Sequence, residues 1–362
     1  MQFLSRFQLL VLFLLSGFAS FGQIQICRSY GGPDDEQGYA LVEAPGGGYV
    51  MAGQTKSFGT GGVDVYVVKV DAQGDIVWTR TVGGSGDDYA FSMVATSDGG
   101  YMLGGNTSSY GAGSDDFYFI KLDANGTVQW TKAVGGTGSD RGWEVVQTTD
   151  GGYAMAGQTT SFGAAPMDIY VVKLDASGNL LWDKRYGNSP SDIAYSLTAT
   201  SDGGLAVCGS AYYFIMGNLP ASTNEYYILK LDSNGGLEWT RFIRDPNAPN
   251  TYPDYARSII QTSDGGYMVS GEAGRKKNSG GYVPKIFLVK LDGSGNVSWT
   301  RYYGATAIPG VSAENSDYGE CVIQTSDGGY VIAGYTFSFN YNFQLAQDVG
   351  LELYIIKVDA NG

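Results

Sequence analysis

The chain contains no histidine in 362 residues. That single absence removes Ser-His-Asp and Cys-His catalysis, imidazole-ligated zinc and His-ligated haem. Proline is scarce at 10 residues, and cysteine is limited to Cys27, Cys208 and Cys321, an odd count without the spacing of a disulfide framework. Positive charge is also short, with 22 Lys and Arg against 36 Asp and Glu and a net charge of −14. Nucleic acids and anionic membranes are bound through Lys/Arg patches, so neither is expected as a partner. Long apolar runs are missing except near the start. There Arg6, the run Leu9 to Leu15, and Ser20-Phe21-Gly22 have the three parts of a secretory signal. Residues 1–22 are therefore expected to be a signal peptide, too short in its apolar part to span a bilayer. The mature protein is expected to be secreted or at the cell surface, without an integral span.

What is abundant is glycine, at 55 residues, and tyrosine, at 27, the mixture of tight turns and aromatic strands. Both fall into repeats. An Asp-Gly-Gly-Tyr turn recurs with Asp98, Asp150, Asp202, Asp264 and Asp327, with Leu205 replacing Tyr once, and Gly46-Gly47-Gly48-Tyr49 is its first form. In step with it runs Lys-x-Asp-x-x-Gly-x-x-x-Trp, with Asp71, Asp123, Asp175, Asp232, Asp292 and Asp359 and with Trp78, Trp130, Trp182, Trp239 and Trp299. The period begins at 52 residues and lengthens downstream, in the range of propeller blades and close to kelch-type repeats of ~50.

Each unit holds four strand-like runs, in the second copy Ala90–Thr96 (a), Tyr101–Gly105 (b), Asp116–Leu122 (c) and Val128–Val134 (d). Turn chemistry of the hairpin kind joins a to b and c to d. Strand c is apolar on both faces, as between stacked sheets, and strand d alternates, as at an outer edge. The expectation is an all-β, six-bladed propeller of four-stranded antiparallel blades over residues 23–362, with the Trp side chains filling the wedges between blades. The sixth copy lacks a Trp strand. Ile24 to Tyr30 has the missing pattern and is expected to close the last blade, which would remove an open sheet edge. The rival expectation is a fragment of a longer protein. Cys208 stands where other copies carry Ala52 or Ala156 and reads as a small buried residue, whereas Cys27 and Cys321 would share the last blade, where a bridge between them is an option.

The hairpin turns keep their length, but the other two connections grow. From the strand-b glycine to the residue five before the repeated Lys, the first three copies span 11 positions and the last three 16, 14 and 18. Connections b–c and d–a emerge on one face of a propeller, so the insertions gather there, over blades four to six, where binding usually lives. They carry Tyr212, Tyr213, Phe214, Tyr252, Tyr282, Phe337, Phe339, Tyr341 and Phe343. Such aromatics would stack on a sugar or anchor a protein, or else pack on one another to order the loops.

Acidic residues before each strand a, at Asp35, Asp87, Asp88, Asp140, Asp192, Asp254 and Asp317, would suit a calcium ring. The preferred reading is that each caps its own turn. Arg141, beside Asp140, is expected to pair with a carboxylate. The Asp-x-x-Gly turns lack the further ligands of an EF-hand and read as turns only. The repeated Lys beside them is expected to bond locally, and Arg275-Lys276-Lys277 to be solvated. No cofactor is called for, calcium being the one ion the pattern would accept. Paired carboxylates alone can hydrolyse glycosides, so an enzyme reading survives without a designated pair.

Together, Asp-Gly-Gly-Tyr, a small residue plus Gly, and Lys-x-Asp-x-x-Gly-x-x-x-Trp resemble the secreted β-propeller repeats of Bacteroidota-type extracellular proteins, over nearly all of residues 24–362. The resemblance implies an extracellular or surface binding module, often exported by type IX secretion, although the C-terminal sorting domain of that route is not in the sequence. Gly74 to Trp78 also looks like the tryptophan-docking repeat of quinoprotein-like propellers. That likeness is to the scaffold, since the adjacent-cysteine pair of those dehydrogenases is missing here. The function expected is glycan or protein binding, as a monomer and without catalysis, through the long loops. The alternatives are a histidine-free glycoside hydrolase or lyase, and a structural module of a larger surface protein.

Overall fold

The structure, a computed structural model, describes residues 27–163, 166–187, 189–214, 222–244, 253–276, 282–304, 316–337, 341–342, 347–348 and 352–362. Residues 1–22, expected to be a signal peptide, lie outside them, as do Tyr252, Phe339 and Phe343. Six antiparallel sheets follow one another, blades 1 to 6, over residues 36–82, 88–134, 140–186, 191–243, 255–303 and 317–358. Blades 1 to 5 have four strands in the order a-b-c-d. Blade 6 has three, Asp317–Gln324, Tyr330–Thr336 and Glu352–Val358, with a small separate ladder pairing Tyr341–Asn342 with Gln347–Asp348. The all-β, six-bladed propeller is therefore present.

Its layout follows from the side chains. Strands a of consecutive blades touch and are innermost. Strand c is sealed on both faces: Phe117, Phe119, Ile120 and Leu122 of blade 2 are all buried. Strand d is the outer edge, with Val77, Val128 and Leu181 exposed. Each Trp of strand d reaches the next blade, as Trp78 lies edge-on to Tyr101 at 6.2 Å. It also covers the c–d turn there: Gly126 has φ +74°, and a Cβ on it would overlap the Trp78 indole. This position needs glycine twice over.

A buried clasp locks the opposite hairpin. Lys121 on strand c is 1 % exposed and its Nζ lies 2.8 Å from Asp98 Oδ2 in the a–b turn. Lys173–Asp150, Lys230–Asp202 and Lys290–Asp264 repeat it, and Lys357–Asp327 makes the same pair with its lysine 44 % exposed. In blade 1 the turn has Gly46 in place of Asp, and Lys69 bonds the Ala124 carbonyl of blade 2 instead. The c–d turn Asp123 accepts from the Asn125 and Thr127 amides, so the turn-only reading holds. The three cysteines form no disulfide. Cys208 is fully buried, as its place in the repeat requires.

The closing strand is where the structure departs from expectation. Residues 24–26 are outside the described set, and 27–30 form no ladder with Glu352–Val358. They dock on blade 1 instead: Arg28 Nη1 and Tyr30 Oη donate to the Gly74 carbonyl at 3.2 and 2.7 Å. Strand-d residues make the same contacts with the following blade, as Tyr186 Oη does with Gly235 and Arg241 with Gly295. The segment thus takes the strand-d seat beside blade 1 without pairing to blade 6. As a result Leu353 and Ile355 are 73 % and 48 % exposed, although their counterparts Phe117 and Phe119 are at 0 %.

Phe119→Ala is expected to cost about 3–5 kcal/mol, and Ile355→Ala to stay near the ~0.5 kcal/mol of surface changes, in urea unfolding. The clasp predicts an acid limb. Partial burial opposes ionisation of Asp98, but Lys121 and Thr96 hold it down to about 2, and Asp150, Asp202 and Asp264 are likewise lowered to about 2. The unfolded carboxyl titrates near ~3.9. Their stabilisation is thus complete above pH ~4 and lost as pH falls through about 2. Lys121→Met should shift acid unfolding, followed by circular dichroism, to higher pH.

Candidate functional site

Every strand a contains a β-bulge at the same place. In blade 3 the ladder pairs Gly142 with Gly157 and Glu144 with Ala156, so Trp143 has no opposite number. The extra residues in blades 1 to 6 are Tyr39, Phe91, Trp143, Tyr195, Arg257 and Glu320. A bulge re-aims its side chain, and on the innermost strand it aims it at the axis. The partner position on strand b is a glycine in all six blades. A Cβ on Gly157 would overlap the Arg141 carbonyl oxygen, and Gly53, Gly105, Gly209, Gly271 and Gly334 face the same collision with strand a. The small residue followed by Gly in the repeat is there to admit the bulge.

Three of the bulge side chains touch in sequence around the axis. Tyr39 and Phe91 are 5.2 Å apart by ring centroid, Phe91 and Trp143 also 5.2 Å, and Tyr89 stacks on Phe91 at 5.6 Å. Burial pushes the Tyr39 phenol up to about 12. Trp143 Nε1 is buried and has no hydrogen-bond partner among the described residues. A buried donor of this kind wants an acceptor.

In blade 5 the aromatic gives way to charge. The Arg257 guanidinium lies 4.7 Å from the Tyr195 ring and 4.9 Å from that of Tyr255, a favourable cation–π arrangement. Its Nη2 and Nε donate to Glu272 Oε1 at 2.6 and 3.0 Å. Glu272 takes the strand-b position held by Gln54, Asn106, Gln158 and Ser210 in blades 1 to 4. Burial works against the Arg257 charge, but the Glu272 carboxylate raises its pKa well above the ordinary value, with Glu320 of blade 6 adding to the effect. One arc of the axis is thus aromatic and the other is a charged pair.

The residues singled out in the sequence lie outside this ring, on the face of the long connections. In blade 4, strands b and c are Leu205–Phe214 and Ser222–Leu231, ten residues each where blade 2 has seven. Tyr212, Tyr213 and Phe214 are on that extension, opposite Asn224, Thr223 and Ser222. Tyr282 ends the matching extension of blade 5, opposite Lys276. Phe337 packs edge-on against Tyr318 and Tyr335 at 6.4 Å each, and Tyr341 starts the small ladder. Arg141 donates to Asp115 Oδ2 through Nε and Nη2 at 3.1 and 2.9 Å, as expected of it. Arg275 of the basic tip is exposed, as expected, and its guanidinium lies over the Tyr302 ring at 5.2 Å. The bulge series was missed. Aromatics at 39, 91, 143 and 195, followed by Arg257 and Glu320, become visible once the copies are aligned on the strand-b glycine.

Asp88 and Asp140 cap as expected: their Oδ2 atoms accept from the Gly84 and Gly136 amides and from Ser109 and Ser161 Oγ. Among the described residues no three acidic or cysteine side chains gather as a metal cluster.

No family model matches the chain. Regulatory protein FlaEY of Caulobacter vibrioides is 26% identical over 272 residues, 68% of this chain and 26% of that protein. The chain thus spans about a quarter of that relative's length. Among solved structures, the β-propeller domain of the Trilobed protease from Pyrococcus furiosus is 9% identical with a TM-score of 0.47, covering 89% of this chain and 82% of that one. A thermostable family-43 glycoside hydrolase is 11% identical with a TM-score of 0.40, covering 74% and 88%. The propeller assignment here rests on the strand pairing itself.

Gly157→Ala, which forces a methyl into the bulge carbonyl, is expected to cost about 1–3 kcal/mol, measured by chemical unfolding. Arg257→Met, which leaves Glu272 buried without its ion pair, should cost roughly 3–5 kcal/mol.

Proposed function

We propose that the protein is an exported, non-catalytic binding propeller that takes a glycan at the axial mouth, on the face of the long connections, with a protein partner as the second class of ligand. One observation carries this reading. The bulges bring Tyr39, Phe91 and Trp143 into a continuous aromatic arc, and within it the buried Trp143 Nε1 has no acceptor among the described residues. Aromatic faces stack on the C–H faces of sugar rings. Tyr212, Tyr213, Phe214, Tyr282, Phe337 and Tyr341, with Tyr252, Phe339 and Phe343 in the same loops, would extend the contact outward.

The hydrolase reading has less support. The carboxylates that come together between blades, such as Asp116 with Asp140, are 0 % exposed, out of reach of a polysaccharide. Export rests on residues 1–22. Among the described residues no helix is long and apolar enough to cross a membrane.

Binding to a glycan array, and pull-down from culture medium, should be compared for the intact protein, Trp143→Ala, and a form with loops 210–224 and 337–351 shortened. Trp143→Ala is expected to weaken glycan binding ~10-fold, the effect of losing one stacking contact. Glycan binding unchanged in both variants would sink the reading. Loss of a pulled-down protein on loop shortening alone would transfer it to a protein ligand.

A further inference from the structure

Between consecutive blades, the first residue of strand c faces the first acidic residue of the next strand a, across the residue that follows strand d. At the first junction these are Asp64 and Asp88 across Gly83, and at the second Asp116 and Asp140 across Gly135. All four carboxylates are at most 1 % exposed. A Cβ on Gly83 would overlap Asp64 Oδ1 and approach Asp88 Oδ2, and one on Gly135 would do the same with Asp116 Oδ1 and Asp140 Oδ2. The two carboxylates of each pair therefore meet over a bare backbone. Asp116 Oδ1, aimed into that meeting point, accepts no hydrogen bond among the described residues; at the first junction the unpartnered oxygen is Asp88 Oδ1, while Asp88 Oδ2, the one at Gly83, accepts from the Gly84 amide and Ser109 Oγ. Two buried like charges with unsatisfied oxygens are costly unless a positive charge joins them.

The later junctions show that charge supplied by the chain. At the third, Arg185 Nη1 reaches Asp168 Oδ2 at 3.4 Å. At the fourth, where Glu225 and Asp254 take the paired positions, the glycine position is Arg244, 3.5 Å from Glu225. At the fifth, the strand-c acid is itself replaced by Lys285, whose Nζ lies 2.5 Å from the buried Asp317 Oδ2. Among the described residues, three junctions contain a cationic side chain and the first two do not. Arg141, beside Asp140 in the chain, is engaged by Asp115.

The geometry points to one bound hard divalent cation at each of the first two junctions, held between Asp64 and Asp88 and between Asp116 and Asp140. Carboxylate oxygens without nitrogen or sulfur donors select calcium-like ions, and two carboxylates match the charge of one such ion. The ion would do for blades 1 to 3 what Arg185, Arg244 and Lys285 do for the rest.

The test uses the full chain, stripped with EGTA and then given CaCl2, with MgCl2 and KCl as controls. Bound calcium after equilibrium dialysis is expected at two per chain, with a rise in melting temperature. Asp116→Lys, which copies Lys285, should fold, bind one calcium, and respond less to chelator. Asp64→Lys/Asp116→Lys should bind none and melt at one temperature with or without calcium. Two observations on the unmodified protein overturn the proposal without any variant: no calcium uptake, or a melting temperature indifferent to all three salts that rises on going from pH 8 to pH 5. The latter would mean that each pair shares a proton. Undiminished calcium binding by the double variant would overturn it as well.

Discussion

The structure depends on a collision avoided. A carbonyl oxygen of each strand a is pushed into the space that a Cβ on strand b would fill, so strand b has glycine there in all six blades. That vacancy lets the innermost strand hold one residue more than its partner. The extra residue cannot sit in the sheet and turns to the axis. The interior of the ring is thus decided by six residues with no role in the ladder, and they vary freely between blades while the scaffold repeats. Four are aromatic and two are charged.

Much of the fold was legible in the sequence because its signals are local and repeated. The Asp-Gly-Gly-Tyr and Lys-x-Asp-x-x-Gly turns have their own hydrogen-bond chemistry, and the Trp spacing places one wedge residue per blade. The Lys of strand c is expected to bond at its own c–d turn; it does bond the adjacent Leu122 carbonyl, but its carboxylate partner, Asp98, belongs to the a–b turn, which only strand pairing brings near. The bulge residues were not legible. Phe91 lies between Ala90 and Ser92 in what reads as an ordinary alternating strand, and alternation says nothing of which residue lacks a partner. Pairing across the blade reveals it. The closing strand was legible in part: Arg28 and Tyr30 have the composition of strand d and occupy its place beside blade 1, but residues 27–30 form no ladder with Glu352–Val358, and composition does not specify strand pairing.

Charge is distributed through the ring by a similar division of labour. On the hairpin face, each buried lysine meets an aspartate in its own blade, so that face is neutralised blade by blade. On the opposite face the acids meet across junctions, and their neutralisation depends on what the neighbouring blade offers. The acidic balance of the chain is therefore concentrated where blades join, and substitutions such as Arg244 and Lys285 fall in the later copies, the ones whose connections have also grown. Divergence in loop length and in junction charge has gone together.

The longer strands of blades 4 and 5 have a consequence for the shape of the mouth. Their added residues continue the ladder, Lys276 still pairing with Tyr282, so the insertion is a rigid ribbon rather than a slack loop. Three further residues at roughly 3.4 Å each raise such a ribbon about 10 Å. Blades 1 to 3, with short connections, stay low. The opening is a parapet along one side and a sill along the other, a profile that admits a long chain laid crosswise as readily as a small molecule dropped in from above.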